Sequence, residues 1–188
     1  MPRLRPVAPT LALATFLLAA CSPAEGSGSE DLEDGSSAAS GDPPHVVASD
    51  PVAAGRYLVQ IGGCNDCHTE GYLQNEGDVP SSDWLAGNPL GFRGPWGTSY
   101  PRNLRLMVRS MSEDDWVARL HRRKTRPPMP WFNLHAMSEQ DLRAIYRFIA
   151  TLEPAGEPVP EAVPPSREPS TPYIPFAPRE PGSEKANR

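Results

Sequence analysis

Two thiols and an imidazole lie within five residues, at Cys64, Cys67 and His68. On a turn of helix, side chains three residues apart share a face, so both thiols can add to the two vinyl groups of one porphyrin. The adjacent imidazole can then ligate the iron from one side. This C-x-x-C-H pattern is the attachment sequence of a c-type haem, and it occurs once. We therefore predict one covalently attached haem c per chain, with His68 as the proximal ligand.

Two other uses of a C-x-x-C pair fit the sequence less well. A zinc ribbon needs a second pair of ligands, and the third cysteine of the chain is the distant Cys21. A thioredoxin-like pair is expected in a βαβ context, and the flanking sequence does not show one. The cysteine count thus favours haem attachment over a structural metal or a dithiol.

The N-terminal residues 1–20 read as an export signal. A short basic start at Arg3 and Arg5 precedes an apolar stretch that is too short to span a membrane. The stretch ends in Leu18-Ala19-Ala20-Cys21, which resembles the lipobox of bacterial lipoproteins. That resemblance implies cleavage before Cys21 and lipid attachment to its sulfur. The alternative is ordinary signal cleavage nearby, for example after Ala24.

The resemblance implies a location in the periplasm, with the chain anchored to a bacterial membrane through Cys21. Ser22 rather than aspartate follows the cysteine, which favours the outer membrane under the usual sorting rule. Residues 21–50 hold seven acidic residues, no Lys or Arg and few large apolar side chains. Such a segment cannot bury enough surface to offset its ordering entropy, so we predict a disordered tether.

Residues 51–152 have the length of one ordinary domain, and their charge is close to neutral. Residues 153–188 form a tail with ten prolines between Pro154 and Pro181. We expect this tail to be extended and to lack a core of its own. Tyr173 and Phe176 can either dock it on the domain or bind a partner, and the sequence leaves both open.

Three amphipathic helices are predicted within the domain. The first follows Asp50 as N-cap, with Pro51 at its first position. The second starts at Ser112 and the third at Ser138, each with an aspartate three residues on. The third places one apolar stripe on a single face: Leu142, Ile145, Tyr146, Ile149 and Leu152. Between Glu70 and Arg105, many Gly and Pro residues indicate an ordered loop, which we expect to wrap the haem.

Met129 is the best candidate for the sixth iron ligand. It lies between Pro128 and Pro130, which stiffen an extended loop able to hold a thioether against the iron. His121 and His135 are the competing ligands. His121 belongs to a basic stretch that is more often solvated, which makes His135 the stronger rival.

The domain as a whole resembles the class I cytochromes c. The resemblance rests on Gly55 before the haem motif, on the Pro-framed Met129 and on the aromatic-bearing last helix. Residues 94–104 and 129–146 are similar to the cytochrome modules of periplasmic dehydrogenases, such as the cytochrome subunit of alcohol dehydrogenase. Those subunits commonly carry several haem motifs, whereas this chain has one.

The resemblance implies an all-α fold, a small cytochrome c fold of helices and loops around one haem. In that family the first and last helices cross, and Gly55 would let the first approach Tyr146 or Phe148. Haem propionates need hydrogen-bond donors when they are partly buried. Asn103, Arg102 and Arg105 are the candidates, and surface charge is the alternative role of the two arginines.

The predicted function is electron transfer by a membrane-tethered carrier, not enzyme catalysis. A dedicated cytochrome subunit that accepts electrons from a periplasmic dehydrogenase is the alternative, and a haem peroxidase or gas sensor is less favoured. The expected partners are redox proteins: a dehydrogenase as donor, and an oxidase or another cytochrome as acceptor. No nucleic-acid partner is expected.

Overall fold

The computed structural model describes residues 43–176 and 178. The predicted signal sequence, Cys21 and most of the acidic tether lie outside these residues. Within the described part of the chain, no helix is long and apolar enough to cross a membrane.

The three predicted helix starts are confirmed by their caps. Helix α1 (Pro51–Ile61) begins after Asp50, whose carboxylate accepts a hydrogen bond from the Val52 amide at 2.8 Å. The two other long helices are α4 (Glu113–Arg122) and α6 (Glu139–Thr151). Each begins after a serine whose hydroxyl accepts from the backbone amide three residues on, at 3.1 Å in both helices. These contacts satisfy amides that have no partner inside the helix.

Helices α1 and α6 pack against each other and form the centre of the apolar core. Gly55 makes the close approach possible, because a Cβ atom there would overlap the backbone carbonyl of Ala144 on α6 and would press on Phe148. Phe148 is confirmed as a neighbour of Gly55. The other close contact is with Ala144 and not with Tyr146, which was the alternative expectation. The predicted stripe of α6 faces inward, with three of its members buried: Leu142, Ile145 and Ile149.

Three short α-helices and a 3-10 turn at Ser81–Asp83 accompany the long helices within the described residues. The short α-helices are α2 (Cys64–His68), α3 (Leu104–Arg109) and α5 (Trp131–Ala136). Asn103 caps α3 by accepting from the Leu106 amide at 3.1 Å. Helices of one or two turns carry too few residues to show an apolar period, which is why α3 and α5 were not predicted.

A small sheet lies beside the helices. Strand β1 (Gly91–Gly94) pairs antiparallel with β2 (Gly97–Ser99) and parallel with β3 (Tyr173–Pro175). Phe92 stands opposite Ser99 on one side and Ile174 on the other. The strands fall inside the predicted loop and the predicted tail, and an all-α fold does not include them. The fold class therefore stays a prediction, with this sheet as the feature that departs from it.

The tail docks on the domain instead of extending away from it. Phe176 packs edge-on against Phe92 and Trp96, with ring centroids 6.4 and 6.0 Å apart. Arg93 of β1 donates to the carbonyl of Arg167 at 3.0 Å and pairs with Glu168 at 3.0 Å. Of the two possibilities that the sequence left open for the tail, the contacts show docking.

Candidate haem-binding site

The attachment motif is a helix of its own, joined directly to α1. Gly62 closes α1, and Gly63 adopts a left-handed conformation with φ +66° as the N-cap of α2. Residues other than glycine adopt this conformation at a cost, so Gly63 allows the second helix to start without a linker. Cys64 and Cys67 are then three residues apart on α2, as the haem motif requires.

His68 is held in the form that ligates a metal. Its side chain is buried, and its Nδ1 lies 2.7 Å from the carbonyl oxygen of Arg102. A carbonyl can only accept, so Nδ1 donates and the lone pair of the neutral ring resides on Nε2. Burial lowers the pKa of His68, although the Arg102 carbonyl acts in the opposite direction. The two effects together favour a neutral, oriented imidazole.

A buried network fixes the backbone around His68. The carbonyl of His68 accepts from the Gly87 amide at 2.9 Å. The next residue, Thr69, donates its hydroxyl to Asn65 Oδ1 at 2.8 Å and accepts from the Leu85 amide at 2.8 Å. These contacts join α2 to the loop that follows it, and they therefore fix the backbone position of His68.

The two thiols do not have the properties of a redox-active pair. Burial, with a smaller contribution from Asp66, raises the pKa of Cys64 to about 11 and also raises the pKa of Cys67. Reactive dithiols instead have lowered pKa values. Both cysteines are free in this structure. The electrostatics of α2 therefore argue against a thioredoxin-like function and are compatible with thiols consumed once, during attachment.

A bare metal ion finds no ready site in the described part of the chain. No group of three or more His, Cys, Asp or Glu side chains is arranged to hold an ion there. A haem iron makes a different demand, since the porphyrin supplies four ligands and the protein only the axial ones.

Unpartnered buried donors provide a test of whether haem fits. Asn65 Nδ2, Trp96 Nε1 and Thr125 Oγ1 are buried without a hydrogen-bond partner among the described residues. A buried donor without a partner costs about 1–3 kcal/mol, so each marks a place where a molecule with acceptor oxygens would be favoured. Haem carries two carboxylates. One of these donors, Asn65 Nδ2, lies on α2 between the two cysteines of the motif, and this donor is compatible with the group that the motif predicts.

The loop that carries Met129 and the predicted ligand His68 both form hydrogen bonds with residues 99–102. Met129 is half-buried between its two prolines. Ser99 donates to the carbonyl of Pro127 at 2.6 Å, and three residues further on Arg102 accepts from His68. Residues 99–102 thus contact the predicted distal loop at one end and the predicted proximal ligand at the other.

The competing histidines have other partners. His121 Nε2 lies 3.0 Å from the carbonyl of Met137. His135 lies with its ring 4.8 Å from that of Trp131, and its Nε2 is 3.4 Å from the carbonyl of Arg123. Each bond occupies one ring nitrogen and leaves the other available, so these contacts do not choose between the histidines and Met129. Met129 as the sixth ligand stays a prediction.

The candidate propionate ligands have protein partners of their own. Arg105 is 2% exposed and donates to four backbone carbonyls: Trp84, Ser81, Ser82 and Glu153. Asn103 caps α3 and donates to the carbonyl of Ala155 at 2.8 Å. The guanidinium of Arg102 holds Glu161 with two bonds of 3.0 Å. These contacts describe structural roles, and the propionate role of the three residues remains untested.

Sequence reasoning did not find the contribution of the Arg102 backbone. Its carbonyl orients His68, and a backbone carbonyl is supplied by every residue type, so no sequence pattern marks it. Asn65 and Thr69 were also missed. Their spacing of four residues across the end of α2 is the only sequence signal that could have indicated them.

No protein-family model, curated protein or solved structure matches this chain. The resemblance to class I cytochromes c therefore stays a prediction, and the assignment of function rests on the residues and contacts described above.

Proposed function

We propose that this chain is a c-type cytochrome of the periplasm, tethered to a membrane through Cys21, that transfers single electrons between redox proteins. The observation that carries the proposal is the His68–Arg102 hydrogen bond within a C-x-x-C-H helix. It leaves Nε2 of a buried, neutral imidazole free to ligate iron. An identical pentapeptide with a solvated or charged histidine would not support the same conclusion.

The bound haem would supply a one-electron Fe(III)/Fe(II) couple. Cys64 and Cys67 would hold it covalently, so that it is not lost in either oxidation state. His68 and Met129 would ligate its iron, and the thioether of Met129 would favour the reduced metal. The apolar core behind α2 would exclude water from that side of the site.

The contacts favour a carrier over a catalyst. A peroxidase or gas sensor needs an open sixth position with a polar side chain beside it, whereas a methionine on a loop anchored by Pro127 and Ser99 would close that position. The docked tail also bears on the alternative of a dedicated dehydrogenase subunit. The described tail contacts its own domain through Phe176, so it needs no partner to be held in place.

Haem attachment is tested by substituting the two cysteines. We expect the Cys64→Ala and Cys67→Ala variants each to lose one thioether bond, and the double variant to retain no covalent haem. The measurement is haem staining after denaturing gel electrophoresis of protein exported together with a haem-attachment machinery. Stain retained by the double variant would refute the proposal.

The sixth ligand is tested by Met129→Ala. The wild-type ferric protein should show a weak sulfur-to-iron charge-transfer band in the far red, and the ferrous protein should bind carbon monoxide poorly. The variant should lose the band and bind carbon monoxide, and its midpoint potential should fall because the soft ligand is gone. Met107→Ala and Met111→Ala are the controls, since both residues pack against the core. Rapid carbon monoxide binding by the wild type would favour the peroxidase or sensor function instead.

A further inference from the structure

The tail lies along the segment that carries the Arg102 carbonyl. We name residues 98–103 the acceptor segment. At its start, Thr98 exchanges two backbone hydrogen bonds with Val163 of the tail, of 2.8 and 2.9 Å. Further along, the hydroxyl of Tyr100 lies 2.8 Å from that of Thr171. The acceptor segment is thus bonded to the tail before it reaches Arg102.

The same contacts continue at Arg102 and beyond it. The Arg102 guanidinium binds both carboxylate oxygens of Glu161 at 3.0 Å, a bidentate geometry that fixes the plane of the side chain. The next residue, Asn103, donates to the carbonyl of Ala155. Arg102 therefore has its side chain bound by the tail while its carbonyl accepts from His68 at 2.7 Å.

Regular secondary structure does not hold this part of the acceptor segment. Strand β2 ends at Ser99, and α3 begins at Leu104. Between them, two backbone hydrogen bonds of 3.2 Å reach the body of the domain: one from the Asn88 amide to the Pro101 carbonyl, and one from the Met107 amide to the Asn103 carbonyl. These bonds lie on either side of Arg102, whose own side chain is bound by Glu161 of the tail.

We propose that the tail clamps the Arg102 carbonyl against His68 and so sets the strength of the proximal hydrogen bond, with Glu161 and Val163 as positioning residues. The inference rests on the proposed function, because the bond matters chemically when His68 ligates iron. A strong bond at Nδ1 makes the imidazole a more basic ligand. Such a ligand favours Fe(III), so an intact clamp lowers the midpoint potential.

The test uses the full-length chain with its haem and three single variants. Glu161→Ala removes the bidentate contact to Arg102. Val163→Pro removes the amide that donates to Thr98 and leaves the charge unchanged. Glu168→Ala is the matched control, because it also removes an exposed tail carboxylate from an arginine, here Arg93 on β1.

The primary measurement is the solvent exchange rate of the His68 Nδ1 proton in the reduced protein, followed by NMR. We expect Glu161→Ala and Val163→Pro to exchange faster, by up to about tenfold, as the loss of one net hydrogen bond from the closed state implies. Both variants should also have a higher midpoint potential than the wild type. Glu168→Ala should leave the exchange rate unchanged.

The outcomes separate this inference from the proposed function. The clamp would be overturned if the His68 Nδ1 proton exchanged at the wild-type rate in both test variants. It would also be overturned if exchange in Glu168→Ala were as fast as in those variants. A higher potential in Glu161→Ala with unchanged proton exchange would also overturn it, since lost charge alone explains that result. The haem-stained gel of the same preparations reports the proposed function independently. If the wild type stains for haem but the exchange of the His68 Nδ1 proton is the same in the test variants, the clamp is refuted and the cytochrome assignment stands.

Discussion

The molecule has two regions that hold His68 by different physical means. The helical region consists of α1, α4 and α6, and it supplies most of one apolar cluster, to which Trp84 and Leu85 of the loop region also belong. The loop region consists of residues 81–105 and the docked tail, and it is joined chiefly by backbone hydrogen bonds, buried Arg105 and exposed ion pairs. Burial is roughly proportional to area and tolerant of detail, whereas polar contacts depend on each partner. The helical region should therefore supply stability, and the loop region should supply orientation.

The largest expected effect is in the helical region. Leu142 is fully buried between α6 and its neighbours, so Leu142→Ala removes apolar contacts and leaves a cavity. We expect it to lower the free energy of unfolding by about 2–5 kcal/mol. The measurement is denaturant unfolding of the haem-containing protein. Leu73→Ala is the control, because Leu73 is 62% exposed; an equal loss in that variant would contradict the division into two regions.

An intermediate effect is expected at Arg105, where the loop region depends on one side chain. Arg105→Lys cannot reach four carbonyls at once, and carbonyls left without a donor are costly. We expect a loss of about 2–3 kcal/mol in the free energy of unfolding. The exposed Arg122 makes one bond to Ala118, so Arg122→Lys should change stability by less than about 0.5 kcal/mol. A stable Arg105→Lys variant with an altered midpoint potential would instead support the predicted propionate role.

The smallest effect should come from the ion pair at Glu161 and should depend on pH. The hydrogen bond from Arg102, and then its charge, hold the pKa of Glu161 below the ordinary 4.5. A lowered folded-state pKa stabilises the fold above pH 4.5, and this contribution is lost as the pH falls through the lower value. The thermal midpoint of Glu161→Ala should be slightly below that of the wild type at pH 7, and the gap should narrow at a pH well below 4.5.

Glu157→Ala is the control for this pH dependence, since Glu157 forms no ion pair among the described residues. The difference in thermal midpoint between Glu157→Ala and the wild type should be the same at both pH values. A gap for Glu161→Ala that persists unchanged at low pH would show that the contact acts through packing and not through charge.

The two regions also differ in how far the sequence predicted them. The caps at Asp50, Ser112 and Ser138 depend on residues within four positions of one another, and all three helix starts are confirmed. Haem attachment was predicted in the same local way, from five consecutive residues. The pairing of β1 with β3 joins residues that are far apart in the chain, and no local pattern encodes it. The role of the Arg102 carbonyl is harder still to predict, because a backbone carbonyl is present whatever the residue type.

The late position of β3 has a consequence for how the protein is made. In the exported chain proposed here, which crosses the membrane N-terminus first, α2 arrives before the tail has been delivered. Contacts between residues distant in sequence form only after the chain between them is in place. During that interval the edge of β1 and the acceptor segment lack their tail partners. Pairing of β3 with β1 is then the last pairing of the sheet to form, and Arg102 gains its bonds to Glu161 only when the tail arrives.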